Sequence, residues 1–280
     1  MTLQEAADRL GVHYMTAYRY IRQGRLPATR EGPEWRILPA DVHAFRRSPA
    51  ASTRRGTARV KADAEALERR MLAGDGPGAW WLVRSHLEGG LDPAGVLTEL
   101  VVPALHSVGA RWAIGDLSVA DEHRATAVAQ RVVGHLGLQF GRRGKSRGAI
   151  ALAAPSGDLH TLPVAIVADL LRWRAFEVLE LGGNTPADAL GDAVAQQDRL
   201  LAVGVVSTTS GLEAEVAASV LSVRAAMPYV AIFLGGPALH SSAHALSLGG
   251  DMWTGLGPHA AVETVERIAG SLEQPQNRVA

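Results

Sequence analysis

The sequence predicts a multidomain α and α/β protein with three folded parts: a winged helix-turn-helix, a four-helix bundle and a doubly wound parallel sheet of flavodoxin-like topology. Three observations point there. Hydrophobic periodicity is helical from Lys61 to Leu138, then changes after Gly148 to short apolar runs separated by helix-length segments. Charge is uneven, because residues 1–60 carry 11 Arg against 5 Asp and Glu while the whole chain nets to zero. A stretch almost free of large apolar residues, 48–60, lies between the basic head and the acidic body and reads as a linker.

A chain of 280 residues with 47% hydrophobic composition can bury two or three small domains. No apolar run approaches about 18 residues, so no membrane span is expected. The chain opens on an amphipathic helix rather than a signal peptide, and the expected location is the cytoplasm. The lack of cysteine excludes disulfides, thiolate nucleophiles and iron–sulfur clusters. A basic head on an acidic body suggests that the head meets nucleic acid.

The head, residues 1–47, is read element by element. Thr2 and Glu5 form a capping box, Ala6, Ala7 and Leu10 give the first helix its inner face, and Gly11 makes the turn. A second helix is expected from about Tyr14 to Gln23, ending at Gly24, with Val12, Ala17 and Ile21 packed inward. Its other face presents Met15, Tyr18, Arg19 and Arg22, with Tyr14 and Thr16 at the leading edge, for entry into a major groove. Residues 30–37 read as a hairpin wing with Gly32-Pro33 at the tip, Trp35 and Ile37 as pins and Arg36 as a further DNA contact. Asp41 to Arg47 would close the unit with a short helix. The run Ala6-Ala-x-x-Leu-Gly-Val12, followed by Tyr20-Ile-Arg-x-Gly-Arg-Leu-Pro27, resembles the winged helix-turn-helix of the MerR and excisionase superfamily. That resemblance implies double-stranded operator DNA as a partner.

Four helices are expected over 61–140. Leu67 and Met71 mark one, Trp80, Val83 and Leu87 a second. The third runs from about Pro93 to Trp112, with Val96, Leu97, Leu100, Val101, Leu105 and Val108 inward and Pro103 as a kink. Ser118 caps the fourth, of roughly twenty residues, supported by Asp121. The tight connection between the last two sets Trp112 near Glu122 and His123, where side chains from both helices can share a patch.

Over 148–273, apolar runs at 149–154, 178–181, 201–206 and 230–234 read as buried parallel strands, with a short fifth near 252–254. Helices are expected at 162–173, 186–197, 212–226, 239–248 and 258–271. Open sheets of this kind bind ligands at the carboxyl ends of their strands. Those ends carry Asp158-Leu-His160, Ser207-Thr-Thr209 and Gly235-Gly236. Asp158 can accept a hydrogen bond from one nitrogen of His160, fixing the tautomer and leaving the other nitrogen for a metal.

Asp158-x-His160 resembles the Asp-x-His-x-x-Gly signature of cobalamin-binding domains, and Trp112-x9-Glu122-His123 resembles the motif in the helical cap of the CarH and LitR group of MerR-type cobalamin photoreceptor repressors. The resemblance implies that His160 is the lower ligand of cobalt and that Trp112 and Glu122 cover the upper face of the corrin, with His123 beside them. It also implies that Ser207, Thr209, Gly235 and Gly236 receive the nucleotide tail. The implied protein is no enzyme but a regulator, a repressor, that takes adenosylcobalamin and works as a homo-oligomer, dimer or tetramer. Two positions depart from the pattern. Pro163 replaces the signature glycine, and Ala113 stands where light-sensing members carry a second histidine. A cobalamin sensor that does not use light therefore stays open, as does a corrinoid methyl carrier of a methyltransferase system.

Overall fold

A computed structural model of the chain describes residues 1–10, 14, 17–18, 21, 26–31, 34–39, 41–42, 63–140 and 144–273. The chain divides into two compact units, Met1–Ala62 and Asp63–Ala280.

In the first unit, helix α1 (Leu3–Leu10) starts from the expected capping box. Glu5 N–H donates to Thr2 Oγ1 at 3.3 Å, and Thr2 N–H donates to the Glu5 carboxylate at 2.9 Å. Strands β1 (Thr29–Glu31) and β2 (Glu34–Arg36) pair antiparallel with Arg30 opposite Trp35, which makes the wing. The chain start locks it in place, because Ile37 N–H donates to Met1 O at 3.0 Å. Leu3, Ala6, Ala7, Ala17, Ile21, Leu26, Ile37 and Val42 form one small core. Residues 14, 17, 18 and 21 are helical, as the second helix requires. The rest of that helix, the tip of the wing and the linker 48–60 lie outside the described residues.

The second unit opens with a bundle of α2 (63–72), α3 (Gly76–Glu88), α4 (93–113) and α5 (Val119–Gly137). Three of the four starts have a chemical cause. Asp75 accepts from Gly78 N–H at 2.9 Å and Asp92 from Gly95 N–H at 2.7 Å, with a proline in the first turn of both helices. Ser118 and Asp121 exchange the two bonds of a capping box. The irregularity expected at Pro103 takes the form of a π-helical turn over Leu97–Val101, where Val102 N–H reaches back five residues to Leu97 O. Pro103 has no N–H to give the carbonyl four residues earlier, so the ladder loosens just ahead of it.

Five strands follow: β3 (Ala149–Pro155), β4 (Glu177–Thr185), β5 (Leu200–Val206), β6 (Ala231–Gly235) and β7 (Met252–Trp253). Their order is β4-β3-β5-β6-β7, every pair parallel, which is the flavodoxin-like order. Helices α6 (Leu162–Trp173) and α10 (Pro258–Glu273) pack on one face, while α7 (Ala187–Ala195), α8 (Glu213–Ala226) and α9 (Ser242–Ser247) pack on the other.

Two expectations change. The second strand is longer than expected and lies at the sheet edge, half-exposed along much of its length, so it is not a fully buried strand. Helix α9 is shorter than the expected 239–248, because Ser241 caps it by accepting from His244 N–H at 3.1 Å.

Bundle and sheet share one core. Leu67, Met71, Leu100 and Leu136 belong to the same buried cluster as Ile150, Leu152, Val164 and Leu171. Phe140 sits at the joint, fully buried and edge-on to Trp173 at 5.9 Å. Asp169, only 4% exposed, bonds Arg172 at 2.9 Å, and Arg172 continues to Glu180 at 2.8 Å, tying α6 to β4. Burial pushes the Asp169 carboxyl above the usual carboxylate range, and Arg172 offsets this only in part.

Ser118→Ala should cost about 1 kcal/mol in urea unfolding, since it removes the cap of α5 without touching the core. Asp169 gives a pH signature. Folding favours its protonated form, so that contribution is complete below the unfolded value of about 3.9 and is lost as pH rises through the raised folded value. The Tm of the wild type relative to Asp169→Asn should therefore fall as pH rises above about 4. A constant difference would show that Asp169 is ordinary.

Candidate functional site

Strand β3 is buried along its whole length and brings the chain to the carboxyl edge of the sheet. There Ser156-Gly157 turns it back, Gly157 at φ +84, and Asp158 N–H closes the turn on Pro155 O at 3.0 Å. The turn drives Asp158 inward to zero exposure and leaves the His160 side chain 60% exposed.

The buried carboxylate is satisfied from two loops. His160 Nδ1 donates to Asp158 Oδ1 at 2.8 Å and its backbone N–H at 3.2 Å. From the loop after β5, Thr208 N–H donates to Oδ2 at 2.6 Å and its hydroxyl to Oδ1 at 2.8 Å, with Thr209 N–H at 3.3 Å. Burial alone would raise the Asp158 pKa. The bonds from Thr208 N–H and His160 outweigh it and hold the carboxyl below its ordinary range. A carboxylate only accepts, so Nδ1 of His160 carries a proton, and Nε2 is the nitrogen left facing outward for a ligand. A neutral, oriented imidazole at an open sheet edge is suited to ligate a borderline metal ion.

Thr208 went unread in the sequence. Ser207 and Thr209, the positions singled out there, are secondary. Ser207 is buried with its hydroxyl toward Thr209 O at 3.4 Å, and Thr209 Oγ1 reaches Asp158 Oδ1 at 3.3 Å. In a Ser-Thr-Thr-Ser run nothing local marks which hydroxyl faces the neighbouring loop.

Gly235 and Gly236 are accounted for by packing within the protein. Gly236 has φ +103, and a Cβ there would come within 2.1 Å of Ser207 O. The slot between the β5 and β6 loops, lined among others by Ser207, Thr209, Leu212, Val216, Ala238 and Leu239, is too narrow for a water molecule. Ala238 N–H holds it shut on Ser207 O at 3.2 Å. Pro163 falls in the first turn of α6, where its missing N–H costs no helical bond.

On the bundle, Trp112 is 49% exposed in the last turn of α4, and Glu122 and His123 lie in the first turns of α5. Arg111 braces this corner by bonding Glu68 on α2 at 2.8 Å and Asp116 in the connection at 2.7 Å. Glu122 accepts from the Thr126 hydroxyl at 2.6 Å, and the exposed His123 ring stands 3.7 Å from its second oxygen. Among the described residues no hydrogen bond joins Trp112, Glu122 or His123 to the Asp158 cluster. Bundle and His160 loop meet instead at Gln130, whose amide donates to Thr161 Oγ1 at 3.4 Å. That contact heads an open groove of about 600 Å³ between α5 and α6.

Of the residues expected to contact DNA, Tyr14 and Arg36 are exposed, while Tyr18 is half-buried against the small core. Thr16, Arg19 and Arg22 lie outside the described residues.

Residues 1–49 match the family described as helix-turn-helix domain, and residues 63–136 match the B12 binding domain. The chain is 29% identical over 153 residues to the HTH-type transcriptional repressor CarH of Myxococcus xanthus, a stretch covering 54% of this chain and 50% of the relative. It is 23% identical over 128 residues to the trimethylamine corrinoid protein of Methanosarcina barkeri, covering 44% and 59% respectively. The chain thus spans little more than half the length of these curated relatives. The fold of the Methanosarcina barkeri monomethylamine corrinoid protein matches 72% of this chain and 96% of that one, with TM-score 0.60 and 16% identity. One chain therefore carries both matches, the helix-turn-helix ahead of the B12 binding domain.

Thr208→Val keeps the shape of the side chain and removes its donor to a buried carboxylate. The expected loss is about 1–3 kcal/mol in urea unfolding. A neutral outcome would mean that the backbone donors alone satisfy Asp158.

Proposed function

We propose that this chain is a cobalamin-dependent, DNA-binding transcriptional regulator, a repressor, with His160 as the lower ligand of cobalt. The observation that carries this is the buried Asp158 bonded to Nδ1 of an exposed His160, in the same chain as a helix-turn-helix domain. Asp158 orients the imidazole and raises its basicity, and Thr208 helps hold the Asp158 carboxyl below its ordinary range. Trp112 and Glu122, on the corner that Arg111 braces, would cover the opposite face of the cofactor, with His123 beside them. Ser207, Thr209, Gly235 and Gly236 would flank the nucleotide tail, and its entry would require the Ser207–Ala238 contact to part.

Adenosylcobalamin is the form proposed, and when bound it supplies a light-labile cobalt–carbon bond. Ala113 offers no imidazole to the upper face, so sensing of cobalamin itself is the second mode. Operator contacts fall to Tyr14, Thr16, Tyr18, Arg19, Arg22 and the wing residue Arg36. Assembly into a homo-oligomer would strengthen operator binding through effective concentration, leaving the DNA-reading helix unchanged. The similarity to corrinoid proteins favours one rival, a methyl carrier. Such a carrier has no use for a helix-turn-helix, and we therefore read the chain as non-enzymatic. Among the described residues no helix is long and apolar enough to cross a membrane, and the cytoplasm is the compartment that suits a DNA-binding regulator.

The cofactor reading is tested by electron paramagnetic resonance of the cob(II)alamin form. Protein labelled with nitrogen-15 at histidine should change the three-line hyperfine pattern to two lines, and His160→Ala should abolish that change. Asp158→Ala should weaken binding by about 10–100-fold. Three lines in labelled wild type would mean that the cofactor's own base is the ligand. Band-shift titrations with and without adenosylcobalamin, in dark and in light, test regulation. Operator affinity should differ between conditions, and equal affinity in all of them would rule a regulatory role out.

A further inference from the structure

The carboxyl end of β4 is built unlike an ordinary strand end. Asn184 has φ +52, one of two non-glycine residues among the described ones with a left-handed backbone, and Gly182 two positions earlier has φ +76. Register with β3 shifts twice on the way, between Leu152 and Ala153 and again before Pro155. Asparagine tolerates this conformation better than most residues, yet it still carries a cost.

What the conformation achieves is local and specific. Asn184 N–H donates to Asp158 O at 2.7 Å, and Asn184 Oδ1 accepts from Gly157 N–H at 2.8 Å. One side chain and its own backbone thus grip two consecutive residues of the turn that carries Asp158. Gly183 lets the strand lie flat against that turn, since a Cβ there would stand 3.0 Å from Asp158 O. The Thr208 loop holds the carboxylate, and Asn184 holds the main chain beneath it. Without the second grip the turn could rock, and the carboxylate and the ring of His160 would lose their common geometry.

We propose that Asn184 is a positioning residue for His160: by fixing the main chain of residues 157 and 158 it presets the Asp158–His160 pair before any ligand arrives. The proposal rests on the reading of His160 as a cobalt ligand and adds to it the residue that orients the ligand loop.

Asn184→Gly tests it, because glycine keeps the left-handed backbone and the N–H to Asp158 O while losing the acceptor for Gly157. Asn184→Asp restores an acceptor. Amide hydrogen exchange of the cofactor-free full chain should be faster at Gly157, His160 and Thr208 in Asn184→Gly, on the order of ten-fold, with the middle of α6 unchanged. In histidine-labelled protein loaded with cob(II)alamin, Asn184→Gly should mix three-line with two-line signal, and Asn184→Asp should return the two-line pattern. Exchange at His160 equal to wild type overturns the proposal. So does faster exchange with an undiluted two-line spectrum, which would reduce Asn184 to a purely structural role. A wild-type chain that takes up no cobalamin overturns the cofactor reading instead, and the exchange measurement then still decides whether Asn184 fixes the turn.

Discussion

A carboxylate with no exposure to water must find every one of its partners inside the protein, and Asp158 is such a group. Leaving it short of donors would cost several kcal/mol or force it to take up a proton. The fold meets this demand with three strand-end loops. The β3 loop supplies Asp158 and His160, the β5 loop supplies Thr208 and Thr209, and the β4 end fixes the backbone under the acid. The parallel order β4-β3-β5 is what makes this possible, because the strand bearing the acid is flanked on both sides by the strands that serve it. The orientation of His160 is thus a consequence of sheet topology, reached through one buried charge.

The bundle is not an independent module laid on this sheet. Its helices share a single apolar cluster with β3 and α6, so the corner carrying Trp112 and the loop carrying His160 are held by one packed body. The packing is uneven. Phe140 and Trp173 close the joint in the core, while an open groove runs along the outer side of α5 and α6 from Gln130 and Thr161 to Leu138 and Arg172.

Much of this was legible in the sequence. Runs of buried strand residues, helix caps at Ser118 and Thr2 and the Asp-x-His spacing are local signals, and each led to the element found. The reading failed where the cause is tertiary. The position of β4 at the edge depends on strand order, which apolar content does not encode. Thr208 outranks its neighbours only because the next loop places a carboxylate opposite it. At Gly236 the need for glycine is tertiary too, because a Cβ there would meet the Ser207 backbone of the next loop. Arg111 was not singled out, since its partners Glu68 and Asp116 lie 43 and 5 residues away.

The π-helical turn in α4 amounts to one residue more than a regular helix needs between Val96 and Val102. Each residue of an α-helix advances the side-chain direction by about 100°. The extra residue therefore sets the phase of everything after it, including Arg111 and Trp112. A chain trimmed by one residue in Leu97–Val101 could repair its hydrogen-bond ladder at that place, but Trp112 would be carried about a quarter-turn or more around the axis. The defect in the ladder works as an angular adjustment, and the direction of the indole is encoded three turns upstream of it.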